Sequence, residues 1–82
     1  MSETHKNYLH DLGAELRDRA LKAKEQAETA RGTSNEQFER GRAFAYYEVV
    51  SLMESEAKTF ELPAEDLHLE GFDADRDLMG LG

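Results

Sequence analysis

The second half of the chain contains a stretch that is more apolar than an ordinary surface helix requires. From Ala43 to Met53, every residue is apolar or aromatic except Glu48 and Ser51. A helix that is apolar around most of its circumference is normally buried. A chain of 82 residues has little other material to bury it, because small domains cover only a modest fraction of their surface. A single helical hairpin therefore cannot shield this segment.

The first predicted helix, over residues 4–30, carries a narrow seam of small side chains. Ser2 or Thr4 can cap its N-terminus. Intervals of four and three alternate along the seam, which is a heptad pattern typical of helix packing. Gly13 is the seam residue that disfavours a helix, by about 1 kcal/mol relative to alanine. The full seam is Leu9, Gly13, Leu16, Ala20, Ala23, Ala27 and Ala30.

A helix-ending signal followed by helix-starting signals separates this helix from the second one. The second helix is predicted over residues 35–61. Gly32 suits the left-handed conformation that commonly ends a helix. Two overlapping capping boxes come next, formed by Thr33 with Glu36 and by Ser34 with Gln37. The connection is so short that the two helices should be antiparallel neighbours. The predicted fold is therefore an all-α antiparallel hairpin over residues 1–62.

Residues 63–82 are predicted to form an acidic tail with short helical turns. Pro63 ends the second helix or opens the next turn. Gly71 marks a turn, and a last helical turn is capped by Asp73 and stopped by Gly80. Residues 61–82 hold seven acids and one base, and so carry most of the net charge of −8. The apolar residues of the tail predict that it docks, either on its own hairpin or on a partner.

Composition excludes several classes of function. The chain has no cysteine, which removes disulfides, thiolate metal sites and thiol nucleophiles. The acidic balance disfavours nucleic acids and anionic membranes as partners. The N-terminus lacks the apolar core of a signal peptide, and no apolar run reaches the ~20 residues that span a bilayer. A soluble cytoplasmic protein is expected.

Candidate chemical sites do not hold together. His5 and His10 are five residues apart and point to different helix faces, so surface histidines are the simpler interpretation, with His68 elsewhere in the tail. Asp73, Asp75 and Asp77 resemble the start of a calcium loop but lack its glycine and its final glutamate. Acids in the first turn of a helix explain them better. We therefore predict no enzyme activity, no metal site and no cofactor.

Self-association is the predicted solution for the second helix. Two copies can form a four-helix bundle, and two-fold dimers are the commonest oligomers. Arg42 and Glu56 lie equally far from Val49, so an antiparallel crossing near Val49 pairs each with the other in the second copy. The alternative is that both side chains reach water at the rim. The predicted dimer interface is Phe38, Arg42, Ala45, Tyr46, Val49, Leu52, Met53, Glu56 and Phe60.

The second helix also carries a resemblance. Its pattern, FxxGRxxAYYEVxSLM from Phe38 to Met53, together with GFDADRDLMG in the tail, resembles a family of small acidic bacterial helical-hairpin proteins of unknown function. The resemblance implies a bacterial or phage origin and supplies no catalytic or binding residues. Two main functions stay open at this point, besides a less supported third, a ligand- or metal-binding bundle. One is a homodimeric interaction or structural module, and the other is a small acidic chaperone or adaptor whose apolar groove binds a partner helix.

Overall fold

A computed structural model describes residues 2–80, and every regular element in that range is helical. Helix α1 spans Glu3–Thr29 and helix α2 spans Glu36–Thr59. A single 3-10 turn over Ala64–Leu67 and a short helix α3 over Ala74–Met79 follow. The two long helices pack against each other, which confirms the all-α class and the paired helices. Predicted segments 1–62 and 63–82 include three residues outside the described range, namely Met1, Leu81 and Gly82.

The connection between α1 and α2 is built differently from the predicted capping boxes. Gly32 adopts a positive φ of 82°, and its amide donates to the Glu36 carboxylate at 2.7 Å. The Thr33 hydroxyl donates to the Ala30 carbonyl at 2.6 Å and accepts from the Asn35 amide at 3.2 Å. Both side chains are thus used by the turn itself, and Asn35 begins α2 without a side-chain cap. The prediction of two capping boxes is wrong because the Thr33 hydroxyl and the Glu36 carboxylate bond to backbone groups at the end of α1 and in the turn.

The seam between the long helices is made of small side chains. Ala20 and Ala23 on α1 are almost completely buried, and Val50 is the largest fully buried side chain in the described chain. Ala57 continues this buried line on α2. Small side chains let two helix backbones approach closely, so the hairpin has a thin core that depends on further cover.

The tail supplies that cover by docking on its own hairpin. Leu67 and Leu69 are buried and belong to one core cluster with Val50. Two α1 cations hold the tail by its backbone: Arg17 donates to the His68 carbonyl at 2.9 Å, and Lys24 donates to the Asp77 carbonyl at 3.0 Å. The latch is therefore apolar at its centre and polar at its edges, and residues 64–80 are an integral part of the fold.

At Gly13 the backbone of the tail lies directly against α1. A Cβ atom placed on Gly13 would lie 1.8 Å from the carbonyl oxygen of Leu67. No side chain can be accommodated at that distance without moving the backbone of the tail. The glycine that seemed only a cost to the helix thus creates the seat for the 3-10 turn.

The last turns of the tail have the local geometry expected of their residues. Gly71 and Gly80 both have positive φ values, of 73° and 70°. The Asp73 side chain caps α3 by accepting a hydrogen bond from the Arg76 amide at 3.0 Å. Leu78 of α3 is thereby directed into the core cluster.

Candidate interaction surface

The two flanks of α2 differ in what covers them, and the buried Val50 marks the line between them. On one flank the Glu54 carboxylate accepts a hydrogen bond from the Ala74 amide at 3.1 Å. On the same flank the Tyr47 hydroxyl donates to the Asp75 carboxylate. The tail therefore covers this flank of α2, and the opposite flank stays largely exposed.

The exposed flank carries a line of apolar side chains, interrupted by Arg42 and Glu56, which we call the α2 stripe: Phe38, Ala45, Val49, Leu52 and Phe60. The exposed fractions are 69% for Phe38, 41% for Val49, 61% for Leu52 and 68% for Phe60. Single exposed apolar residues are common on proteins, but several aligned on one face of a helix are typical of an interaction surface. The α2 stripe is the strongest candidate for one in the described chain.

The nine residues of the predicted dimer interface fall into two groups. Six are exposed, and the set is Phe38, Ala45, Val49, Leu52, Glu56 and Phe60. The other three, Arg42, Tyr46 and Met53, are half-buried. Tyr46 and Met53 pack against the core cluster of their own chain, so part of their apolar surface is already used within one molecule. The exposed group therefore offers most of the surface available to a partner.

Two charged residues, Arg42 and Glu56, interrupt the α2 stripe and have different partners. Arg42 donates to the Gln26 side chain at 2.5 Å and to the Glu39 carboxylate at 3.4 Å. Its guanidinium also lies 5.7 Å from the centre of the Tyr46 ring. Glu56 is exposed and makes no ion pair within residues 2–80. Sequence reasoning missed the contact between Arg42 and Gln26, because it considered Arg42 only as a partner for Glu56 or as a side chain that reaches water.

Helix α1 adds two apolar residues near the same face that sequence reasoning also missed. Tyr8 is 65% exposed and Leu12 is 37% exposed. Farther along α1, Arg19 and Gln26 line a hollow together with Arg42, which places this edge of α1 next to the α2 stripe. Because Leu12, Arg19 and Gln26 are seven residues apart, they share one helix edge. That repeat, offset from the alanine seam, is the signal that could have identified Leu12.

Two carboxyl groups with shifted pKa values lie where the tail docks, Glu54 on α2 and Asp77 in the tail. Burial raises the pKa of Glu54, and the nearby Asp73 and Asp75 act in the same direction. The pKa of Asp77 is lowered from 3.8 to about 2 by the Arg76 guanidinium and by the Asp73 amide. Changes of pH should therefore act on the docking of the tail, which lies on the flank away from the α2 stripe.

The histidines do not assemble a metal site in the described chain. The rings of His10 and His68 stack with centroids 4.3 Å apart, one from α1 and one from the tail. His5 instead interacts with Ser2 at the start of α1. Within residues 2–80 no three histidine or carboxylate side chains cluster closely enough to hold a metal ion. The stacked pair joins the tail to α1, which is a packing role.

A shallow groove on another part of the molecule is lined by apolar and charged residues together. Phe44 and Met79 line it and are both partly exposed. Arg31, Arg40 and Glu36 lie along it, and Arg40 is paired with Glu36 at 3.5 Å. The groove mixes signs of charge and has no convergent polar groups that would fix a ligand. It is a weaker candidate than the α2 stripe.

Because comparison with known proteins identifies no relative, the proposed function depends on the exposed surface of the α2 stripe. None of the helices in residues 2–80 combines the length and apolar character needed to cross a bilayer. Comparison of the chain with family models, curated proteins and solved structures finds no significant match.

Proposed function

We propose that this protein is a non-catalytic homodimeric interaction or structural module, and that the α2 stripe is its dimer interface. The observation that carries the proposal is the exposure of Phe38, Val49, Leu52 and Phe60 while the tail is already docked on the other flank of α2. A second copy brings an identical apolar line, and self-complementary faces are what a two-fold dimer requires. The result is a four-helix bundle with both tails in place.

The sequence of α2 is symmetric about Val49 in a way that suits an antiparallel crossing. Leu52 lies three residues after Val49 and Tyr46 three before it. In such a crossing each residue meets the one equally far from Val49 on the other side. Large meets large at the ends, and the tyrosines occupy positions where a polar tip can reach solvent. The pairs are Phe38 with Phe60, Arg42 with Glu56, Ala45 with Met53, and Tyr46 with Leu52.

The charge pair gives this crossing its register. Arg42 lies seven residues before Val49 and Glu56 seven after it, so the crossing forms the pair twice. A charge in an apolar interface is costly unless it is paired. Arg42 already has Gln26 and Glu39 as partners, whereas Glu56 has no ion pair among the described residues. The second copy would therefore give Glu56 the ion-pair partner that its own described chain does not provide.

The composition favours a particular cellular compartment and disfavours some classes of partner. With a net charge of −8 and no cysteine, the protein suits a reducing cytoplasm, and its surface opposes binding to phosphate backbones. A binding role that depends on apolar complementarity between two copies is consistent with this charge, because the α2 stripe is apolar and the two charged residues that interrupt it, Arg42 and Glu56, have opposite signs.

The test is sedimentation equilibrium on the wild type and two matched variants. Leu52→Glu places a charge in the interface and should weaken dimerisation at least a hundredfold, since burying an unpaired charge costs about 3 kcal/mol or more. Phe44→Glu is the control: it adds the same charge at a half-exposed aromatic outside the α2 stripe, and it should leave the dimer intact. Glutamate keeps the helix propensity in both.

A wild-type protein that stays monomeric at millimolar concentration would overturn the proposal. The same holds if Leu52→Glu and Phe44→Glu dimerise equally well. An exposed α2 stripe on a stable monomer would instead favour the adaptor function, in which a partner helix fills that surface.

Charge reversal tests the register separately. Arg42→Glu and Glu56→Arg should each weaken the dimer, and the double variant should recover it, because the opposite charges face each other again. Glu56→Arg is the cleaner single variant, since Arg42→Glu also removes the contacts with Gln26 and Glu39. A double variant no stronger than the weaker single one would contradict the crossing at Val49.

A further inference from the structure

The exposed edge of α1 changes character halfway along its length. Near the connection it is polar, with Arg19 and Gln26. Toward the N-terminus it becomes apolar, with Leu12 and then Tyr8. A solvent-facing edge of a helix has no need of a tyrosine and a leucine in succession, whereas an interface does.

The contact between Gln26 and Arg42 fixes how α1 and α2 lie beside each other. Their side chains meet at 2.5 Å, so these two residues lie within about one helical turn of the same level along the hairpin. In an antiparallel pair, fourteen residues before Gln26 is level with fourteen after Arg42, which places Leu12 level with Glu56. By the same count Tyr8 is level with Phe60. The apolar part of the α1 edge therefore lies at the same end of the hairpin as the C-terminal part of the α2 stripe.

We infer that Tyr8, Leu12 and Phe60 form one binding patch, here called the open-end patch, that receives the Phe38 end of a second copy. This inference rests on the proposed homodimer and extends it from α2 alone to both helices. In the crossing at Val49, the partner's Phe38 is opposite Phe60, and so reaches the level of Tyr8 as well. Each dimer contains two such contacts, and α1 thereby becomes part of the interface.

The distribution of charge supports a second copy as the occupant and places the tails outside. Residues 61–80 carry seven acids and one base, and they dock on the flank of α2 that contains Tyr47 and Glu54. Residues 1–31 carry equal numbers of acids and bases. Two copies that meet through the α2 stripe and the open-end patch bring together segments of low net charge and keep the acidic tails apart.

A tryptophan reporter tests the inference directly, because the natural chain contains no tryptophan. Tyr8→Trp places the single indole in the open-end patch. Leu21→Trp is the control, at a residue of similar exposure to Leu12, 40% against 37%, on a different edge of α1. As protein concentration rises through the dimerisation range, the emission of Tyr8→Trp should shift to shorter wavelength and that of Leu21→Trp should stay unchanged.

A second set of variants measures what the patch contributes. The double variant Tyr8→Gln with Leu12→Gln should weaken dimerisation by at least about tenfold, in the range of a moderate interface contact. Leu21→Gln should leave the dissociation constant unchanged within twofold. Circular dichroism on each variant checks that the helices persist.

The outcomes separate this inference from the proposed function. Dimeric wild type, with a dissociation constant insensitive to the Tyr8 and Leu12 changes and no shift for Tyr8→Trp, overturns the open-end patch and leaves the α2 stripe standing. Monomeric wild type overturns both. A shift for Tyr8→Trp together with a weaker double variant supports the patch.

Discussion

Replacing Gly13 with alanine should destabilise the protein, although the same change helps most helices. In an exposed helix interior, alanine is favoured over glycine by about 1 kcal/mol. At Gly13 the new Cβ would meet the Leu67 carbonyl oxygen at 1.8 Å, whereas real Cβ contacts essentially never fall below 3.0 Å. The backbone of the tail would therefore have to retreat by 1.2 Å, the difference between these two distances.

That retreat disturbs the part of the tail that is held most firmly. Leu67 is buried in the core cluster, and the next residue, His68, accepts a hydrogen bond from Arg17. Overpacking costs about 1–3 kcal/mol, and losing the burial of one leucine costs about 1.5–3 kcal/mol. After the gain in helix propensity, we expect a net loss of about 2 kcal/mol, which lowers the melting temperature by about 8 °C or more in a domain of this size.

Gly41 provides the matched control in the other long helix. An added Cβ at Gly41 meets nothing within 4 Å, so Gly41→Ala should raise stability by about 0.5–1 kcal/mol. Thermal unfolding of both variants and the wild type, followed by circular dichroism at one fixed protein concentration, gives the comparison. If Gly13→Ala is stabilised as much as Gly41→Ala, the close seat of the tail on α1 is refuted.

Three further predictions concern the docked tail. Asp73→Ala removes the cap that the Arg76 amide uses, so it should cost about 1 kcal/mol and speed amide exchange in α3. Burial raises the pKa of Glu54 above 4.5. Its carboxyl therefore favours folding most below pH 4.5, and this contribution is lost as pH rises through the pKa of the folded state. Glu54→Gln should flatten that part of the curve of melting temperature against pH. The pKa of Asp77 is lowered from 3.8 to about 2, so its contribution is present above pH 3.8 and is lost as pH falls to about 2; Asp77→Asn should make the acid limb shallower, and a limb as steep as that of the wild type would contradict the Arg76 contact as its cause.

The helices could be predicted because their signals are local. The heptad seam of small residues on α1 and the apolar arc of α2 depend on spacing within one segment. The turn at Gly32 likewise follows from a conformation that glycine adopts easily. What could not be predicted is the direction in which each part of the apolar arc faces. Val50 and Val49 are neighbours in sequence, yet the first is fully buried beneath the tail and the second belongs to the exposed α2 stripe.

The surface on which the tail docks could not be predicted from the sequence for a related reason. Its apolar residues, such as Leu67, Leu69 and Leu78, have irregular spacing and indicate burial without naming the surface that receives them. The tail docks at Gly13, where α1 has no side chain. In the sequence, this glycine indicates only a weak point in the helix. Only the three-dimensional contact with Leu67 shows that the glycine is required.

The proposed interface rests on two kinds of observation. The symmetry of α2 about Val49 is a property of the sequence, whereas the exposure of Phe38, Leu52 and Phe60 is seen only in the structure. Tyr8 and Leu12 were not among the predicted interface residues, because both lie off the α1 seam on which the prediction relied.

The mass of the intact protein in solution tests the central claim most directly. The chain has a mass of 9.3 kDa, and two copies joined through the α2 stripe have twice that mass. Sedimentation equilibrium over a range of concentrations should show reversible conversion from the single to the doubled mass, with Leu52→Glu held at the single mass. A wild-type protein at 9.3 kDa throughout that range would contradict the account.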